Sequence, residues 1–109
     1  MTWLVREGEV LASLEVADTM SSRMAGLLGR DGIDGAMLIK PARSVHTIGM
    51  QFPIDVAFCD GQLQVVAVRC MVRNRIGLPR LRARCVIEAE AGAFERWGLK
   101  VGDRLEVTG

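Results

Sequence analysis

The stretch "IDVAFCDGQLQVVAVRCMV", residues 54–72, decides how the chain is read. Two apolar, β-branched runs flank Asp60-Gly61, and Asp-Gly between strand-like runs is a strong local signal for a two-residue type I′ hairpin. That turn predicts a register in which Phe58 faces Leu63, Val56 faces Val65 and Asp55 faces Val66. Ile54, Val56 and Phe58 then line one face. Asp55, Ala57 and Cys59 line the other, beside Val66 and Val68. Both faces are apolar, so the hairpin is expected to be covered on both sides. In 109 residues this favours a compact small β-barrel or closed sandwich, a mainly β (α+β) fold with a helix or loop packed outside.

Working outward, residues 2–17 read as two short strands around Gly8-Glu9. "DTMSSRMAGLLGRDG" carries Met20, Met24, Leu27 and Leu28 at i, i+4, i+7 and i+8, which predicts an amphipathic helix over about 19–29. Asp18 or Thr19 can cap its start, and Gly29 or Gly32 can end it. A short helical turn is expected at 93–97, between Gly92 and Gly98, and Gly102-Asp103 turns into a last strand, 104–107. There are no repeats or long linkers, so residues 1–109 read as a single domain. Half the residues are hydrophobic and the net charge is +1, a composition that excludes disorder.

Cys59, Cys70 and Cys85 form an odd, widely spaced set without C-x-x-C, which indicates neither a disulfide framework nor a zinc site. They are expected to be reduced and mostly buried. No stretch approaches the length of a membrane helix, and the first residues hold too short an apolar run for a signal peptide. The expectation is a cytoplasmic protein with no membrane partner, metal or cofactor.

His46 is the only histidine and the only side chain that titrates near neutrality when unperturbed. A metal normally takes three or four ligands, which leaves His46 as a general base, a ligand-binding residue or a hydrogen-bonded structural residue. Asp55 is set among apolar residues and must find donors or have a raised pKa. Pro53 interrupts the backbone just before it, so Asp55 is expected to anchor the segment around Thr47 to Phe52. Ser44 and Thr47 are the nearby hydroxyls, without nucleophile-elbow glycines.

From Arg69 to Arg84 the chain carries six arginines and no acid. Arginine forks suit phosphate or carboxylate, which makes Arg73, Arg75, Arg80 and Arg82 weak anion-binding candidates. The competing reading is a solvated loop whose charges pair with Glu88, Glu90 and Glu95. Nucleic acid is disfavoured, because no neighbouring aromatic residues offer stacking.

Four stretches, "RMAGLLGR" (23–30), "GAMLI" (35–39), "VHTIGMQFPIDVAFCDG" (45–61) and "VIEAEAGAFERWGLKVGDRLEV" (86–107), occur in this order. In this the chain resembles the domain of unknown function 192 family from about Thr19 to Val107. The resemblance implies a compact mainly β domain and no established activity. The family's recurrent polar positions correspond to Arg23, Arg30, His46, Thr47, Asp55, Glu88 and Asp103, which the resemblance groups as candidates for a shared cleft. Ile39 stands where many relatives have an aromatic residue and Gly49 where many have Trp. Many relatives also carry an export or lipoprotein signal, which the first residues here do not resemble.

Three functional readings follow. The first is a non-enzymatic binding or accessory module with a cleft near His46 and Asp55, with Thr47, Arg23, Arg30 and Glu88 as further ligand-binding candidates. Its partner would be a small polar or anionic ligand, or a protein. The second is a small hydrolase-like enzyme with His46 as base. The third is an anion or nucleic-acid binder acting through the arginine-rich loop.

Overall fold

The computed structural model describes all residues, 1–109. Seven strands and two short helices follow in the order β1 (Trp3–Arg6), β2 (Glu9–Ala17), α1 (Met20–Ala25), β3 (Ala36–Ile39), β4 (Ile54–Cys59), β5 (Val65–Met71), β6 (Cys85–Glu90), α2 (Ala93–Trp97) and β7 (Glu106–Thr108). The strands form a sheet of order β5-β4-β6-β3-β2-β1-β7. Every neighbour is antiparallel except β2 and β3. Those two run parallel because α1 provides the crossover that a parallel pair requires.

The fold is mainly β, as expected, but the sheet is not closed, which corrects the barrel and closed-sandwich expectation. Its two ends do approach each other. Val65 N–H donates to Asp103 O at 2.8 Å, Gly102 N–H to Val65 O at 2.8 Å and Leu105 N–H to Leu63 O at 2.9 Å. Backbone pairing there amounts to these bonds and an isolated bridge between Gln64 and Arg104. Leu63 adopts a left-handed backbone (φ 61°), so the chain before β5 is too irregular to extend a ladder.

The hairpin forms where the sequence placed it, with a different turn. Phe58 lies opposite Ala67, Val56 opposite Arg69 and Asp55 opposite Cys70, with an irregularity between Phe58 and Cys59. Phe58 is therefore not paired with Leu63, nor Val56 with Val65, nor Asp55 with Val66. Instead of a two-residue turn, Gly61, Gln62 and Leu63 make a three-residue loop closed by Leu63 N–H to Asp60 O and Asp60 N–H to Gln64 O. The Asp60 carboxylate fixes it by accepting from Gln62 N at 2.9 Å and Gln64 N at 3.0 Å. Aspartate bonding to its own following backbone favours such a turn over the type I′ form. Both loop residues have left-handed φ between β1 and β2, where Glu7 (51°) and Gly8 (79°) connect the directly paired Arg6 and Glu9.

Alternation along β4 feeds two core clusters. Ile54, Val56 and Phe58 pack with Leu27, Met37, Ile39 and Val86. Ala57 and Cys59 pack with Leu4, Leu38, Ile87 and Phe94 on the opposite side. All of β4 is buried, so its two apolar faces are covered as expected. β5, at the sheet edge, is only partly so.

The first helix is shorter than the expected 19–29. Thr19 caps it by a reciprocal box with Ser22, and Gly26, at φ 47°, ends it after Ala25. Leu27 alone of the expected stripe enters the core, while Met20, Met24 and Leu28 stay exposed. The helix stops before a third turn could lay the whole stripe on the sheet.

Candidate functional site

Those exposed side chains form one wall of a cleft of about 270 Å³. α1 and the turn after it make that wall. The far wall comes from Ile39 at the end of β3, residues 41–42 and 44–46 and Met50, and the floor from Val86 and Glu88 of β6. Pairing places Glu88 between Met37 of β3 and Val56 of β4. Neither flanking side chain offers a donor, and Glu88 is 5 % exposed. Burial alone raises its carboxyl from 4.5 to about 7, the response of an acid withdrawn from water without a compensating charge.

Arg23 reaches the cleft from α1. Its guanidinium donates to Pro41 O at 3.0 Å, while its buried Nε has no hydrogen-bond partner. His46 is exposed and also lines the cleft, and its backbone is bridged to Ile76. Ser44 is a further lining residue, but no hydrogen bond joins it to His46 or His46 to Glu88. The structure thus brings Arg23, His46 and Glu88 into one cleft.

It places the other candidates elsewhere. Thr47 is fully buried; its hydroxyl donates to Val72 O at 2.7 Å and accepts from Arg75 N–H at 2.9 Å. Those bonds tie residues 72–75 to the strand entrance. Arg30 forms an exposed ion pair with Glu15 at 2.7 Å. Asp103 accepts from Arg6 and Lys100 at the C-terminal turn. Partial burial raises its carboxyl, but the hydrogen bonds from Lys100 and Arg6 outweigh that and hold it below its ordinary value.

Asp55 lies away from the cleft on the opposite face of β4, so it does not meet His46 there. Its Oδ2 accepts from Gly92 N at 3.0 Å and Phe94 N at 3.1 Å. It therefore anchors the start of α2 rather than Thr47 to Phe52. The N-cap residue Gly92 has no side chain to perform this task, and a helix start leaves backbone donors without partners.

The thiols are free. Cys59 and Cys85 are buried and directly opposite each other on β4 and β6, and a hydrogen bond that Cys59 donates to Cys85, together with burial, pushes the Cys59 thiol up. Cys70 is exposed, contrary to expectation, because edge strand β5 leaves it uncovered. No three His, Cys, Asp or Glu side chains are grouped so as to hold a metal ion.

Arg73, Arg75 and Arg82 are exposed on the loop after β5. Arg80 is half-buried, with its guanidinium 5.3 Å from the centre of the Phe58 ring. None of the six arginines between 69 and 84 forms an ion pair, so the expected pairing with Glu88, Glu90 and Glu95 does not occur. The sequence reading missed Met20, Met24, Ser44 and Met50 as cleft residues. The four-residue spacing of Met20 and Met24 was visible, but it read as a core stripe.

An open, curled, mainly β sheet with a cleft over its central strands defines the class of this molecule. The chain belongs to the DUF192 family, described as an uncharacterized ACR, whose profile matches residues 3–107. A UPF0127 protein of Pyrococcus horikoshii is 32 % identical over 105 residues, covering 92 % of this chain and 88 % of the relative. One from Pyrococcus furiosus is 29 % identical over 103 residues, covering 90 % and 89 %. The crystal structure of a protein of unknown function from Novosphingobium aromaticivorans has the same fold. Its TM-score is 0.80 at 20 % identity, over 96 % of this chain and 82 % of that one. No helix is long and apolar enough to cross a membrane.

Proposed function

We propose that this protein is a small-ligand binding module whose site is the cleft over β6. One observation carries the reading: Glu88 is a buried carboxyl on the floor of an open cleft, with burial as the one cause of its raised pKa. Buried polar groups are normally hydrogen-bonded, and a carboxyl left without a donor costs stability. A ligand that donates to Glu88 would relieve that cost. Met20, Met24, Ile39 and Met50 offer an apolar wall to the rest of it, and methionines adapt to irregular shapes. Arg23 and His46 supply polar contacts for a second ligand group. Few polar groups converging in an apolar cleft is the usual composition of a small-molecule site.

The ligand class is a compact apolar molecule with a cationic or hydroxyl donor at one end. Hexylamine, hexanol and hexane-1,2-diol are suitable probes in thermal unfolding at pH 7.5. Hexylamine should raise the Tm of the native chain more than hexanol does, and the gain should vanish in Glu88→Gln. A native chain indifferent to all three probes, or a Glu88→Gln variant that responds equally, would overturn the reading.

A further inference from the structure

We propose that the loop after β5, residues 72–84, is a docking surface for an anionic phospholipid bilayer. This is separate from the cleft reading and rests on different residues. The stretch from Arg69 to Arg84 has six arginines and no acid while the whole chain carries +1, so the remaining residues carry −5. Charge is therefore unevenly distributed along the chain. No ion pair neutralises these arginines.

Between the arginines stand aliphatic side chains that the fold leaves in water. Ile76, Leu78 and Leu81 are 75 %, 80 % and 83 % exposed, and Val72 is exposed beside them. The backbone beneath them is held firmly. Thr47 N–H donates to Arg75 O at 2.7 Å, Gly77 N–H to Val45 O at 2.8 Å, and Arg80 N–H to Arg43 O at 2.9 Å. Pro79 stiffens the same segment. The apolar side chains are thus presented on a fixed frame rather than on a loose loop.

A cleft of about 200 Å³ beside them has Phe58 in its wall and Arg69, Leu78 and Arg80 around it. Arg80 sits over the Phe58 ring, and its buried Nε has no partner. Arginine forks match phosphate oxygens, so this cleft suits a lipid phosphate, with Leu78, Leu81 and Ile76 entering the acyl boundary. Basic residues around aliphatic ones are the chemistry of a surface that lies on a membrane, and it requires no spanning segment. A second copy of this chain packed symmetrically through the same loop is a poor occupant, since it would set five arginines against five. Nucleic acid would leave the aliphatic side chains against a charged, wet surface, and the loop has no aromatic residue for stacking.

The full chain is tested by co-sedimentation with vesicles of phosphatidylcholine alone and with equimolar phosphatidylcholine and phosphatidylglycerol. Binding should occur to the anionic vesicles only and weaken as salt is added. A triple variant, Arg73→Gln, Arg75→Gln and Arg82→Gln, should bind about 100-fold less well, at roughly fivefold for each lost charge. A double variant, Leu78→Ser and Leu81→Ser, should also lose binding, and both should keep the native Tm because the replaced side chains are exposed. Absence of binding to anionic vesicles at low salt, equal binding to neutral vesicles, or unchanged binding by the variants would overturn the proposal. So would arginine-dependent binding of a soluble polyglutamate peptide without vesicle binding, which would make the partner an acidic protein.

Discussion

Replacing Glu88 with Gln should stabilise the protein, and by an amount that depends on pH. In the unfolded chain the carboxyl ionises near 4.5, whereas in the folded chain it keeps its proton to about 7. Between those values the folded state binds the extra proton, so stability falls as pH rises. Below about pH 4.5 both states are protonated and no penalty exists; above about pH 7 the penalty is complete. At roughly 1.4 kcal/mol per pH unit, moving the carboxyl from 4.5 to about 7 amounts to about 3 kcal/mol. Gln has nearly the same shape and no charge to desolvate. Urea denaturation of both proteins at pH 4, 5.5, 7 and 8 cancels every other titration in the difference. Glu88→Gln should match the native chain at pH 4 and exceed it by about 3 kcal/mol at pH 8. A difference that stays constant with pH, or a less stable Gln variant at pH 8, would refute the burial argument and with it the role given to Glu88.

Asp55→Ala should cost about 1–3 kcal/mol by leaving the Gly92 and Phe94 amides without their acceptor. Hydrogen exchange should show those two amides losing protection; unchanged protection would mean that Asp55 does not hold α2. A thiol reagent should label Cys70 promptly in the native protein, and Cys59 and Cys85 only on unfolding. Rapid modification of all three would show that the β4–β6 pair is accessible. Gly35→Ala should lower the Tm, because Gly35 has φ 77° and an added Cβ would run into Ser13; an unchanged Tm would mean that this turn is not held in the left-handed conformation.

The double-faced apolar pattern of residues 54–59 was decisive without any structure. A strand whose side chains are apolar on both faces, at every position but Asp55, must be covered on both sides, and β4 is. The pattern does not specify how far the sheet curls, and closure was decided by the backbone at Leu63 and the chain around Gly102. Asp60-Gly61 marked the hairpin correctly, yet the Asp60 carboxylate selected a three-residue loop and shifted every cross-strand partner. A dipeptide preference is weaker than two side-chain hydrogen bonds formed in place.

The candidate site divides along the same line. His46 could be named from the chain, Arg23 and Glu88 only from its family resemblance, and the tertiary structure brings the three to one cleft. Asp55 could be recognised as a carboxylate in need of donors, but those donors lie 37 and 39 residues further on. The stripe of Met20, Met24, Leu27 and Leu28 is a fact of sequence. Whether it faces the core or water was settled by Gly26, which ends α1 and lets only Leu27 turn inward. By itself the sequence determined local conformation and which side chains must leave water, since these follow from backbone preference and periodicity. Tertiary structure alone decided which groups meet and which buried group goes without a partner, because those depend on long-range pairing that no local pattern encodes.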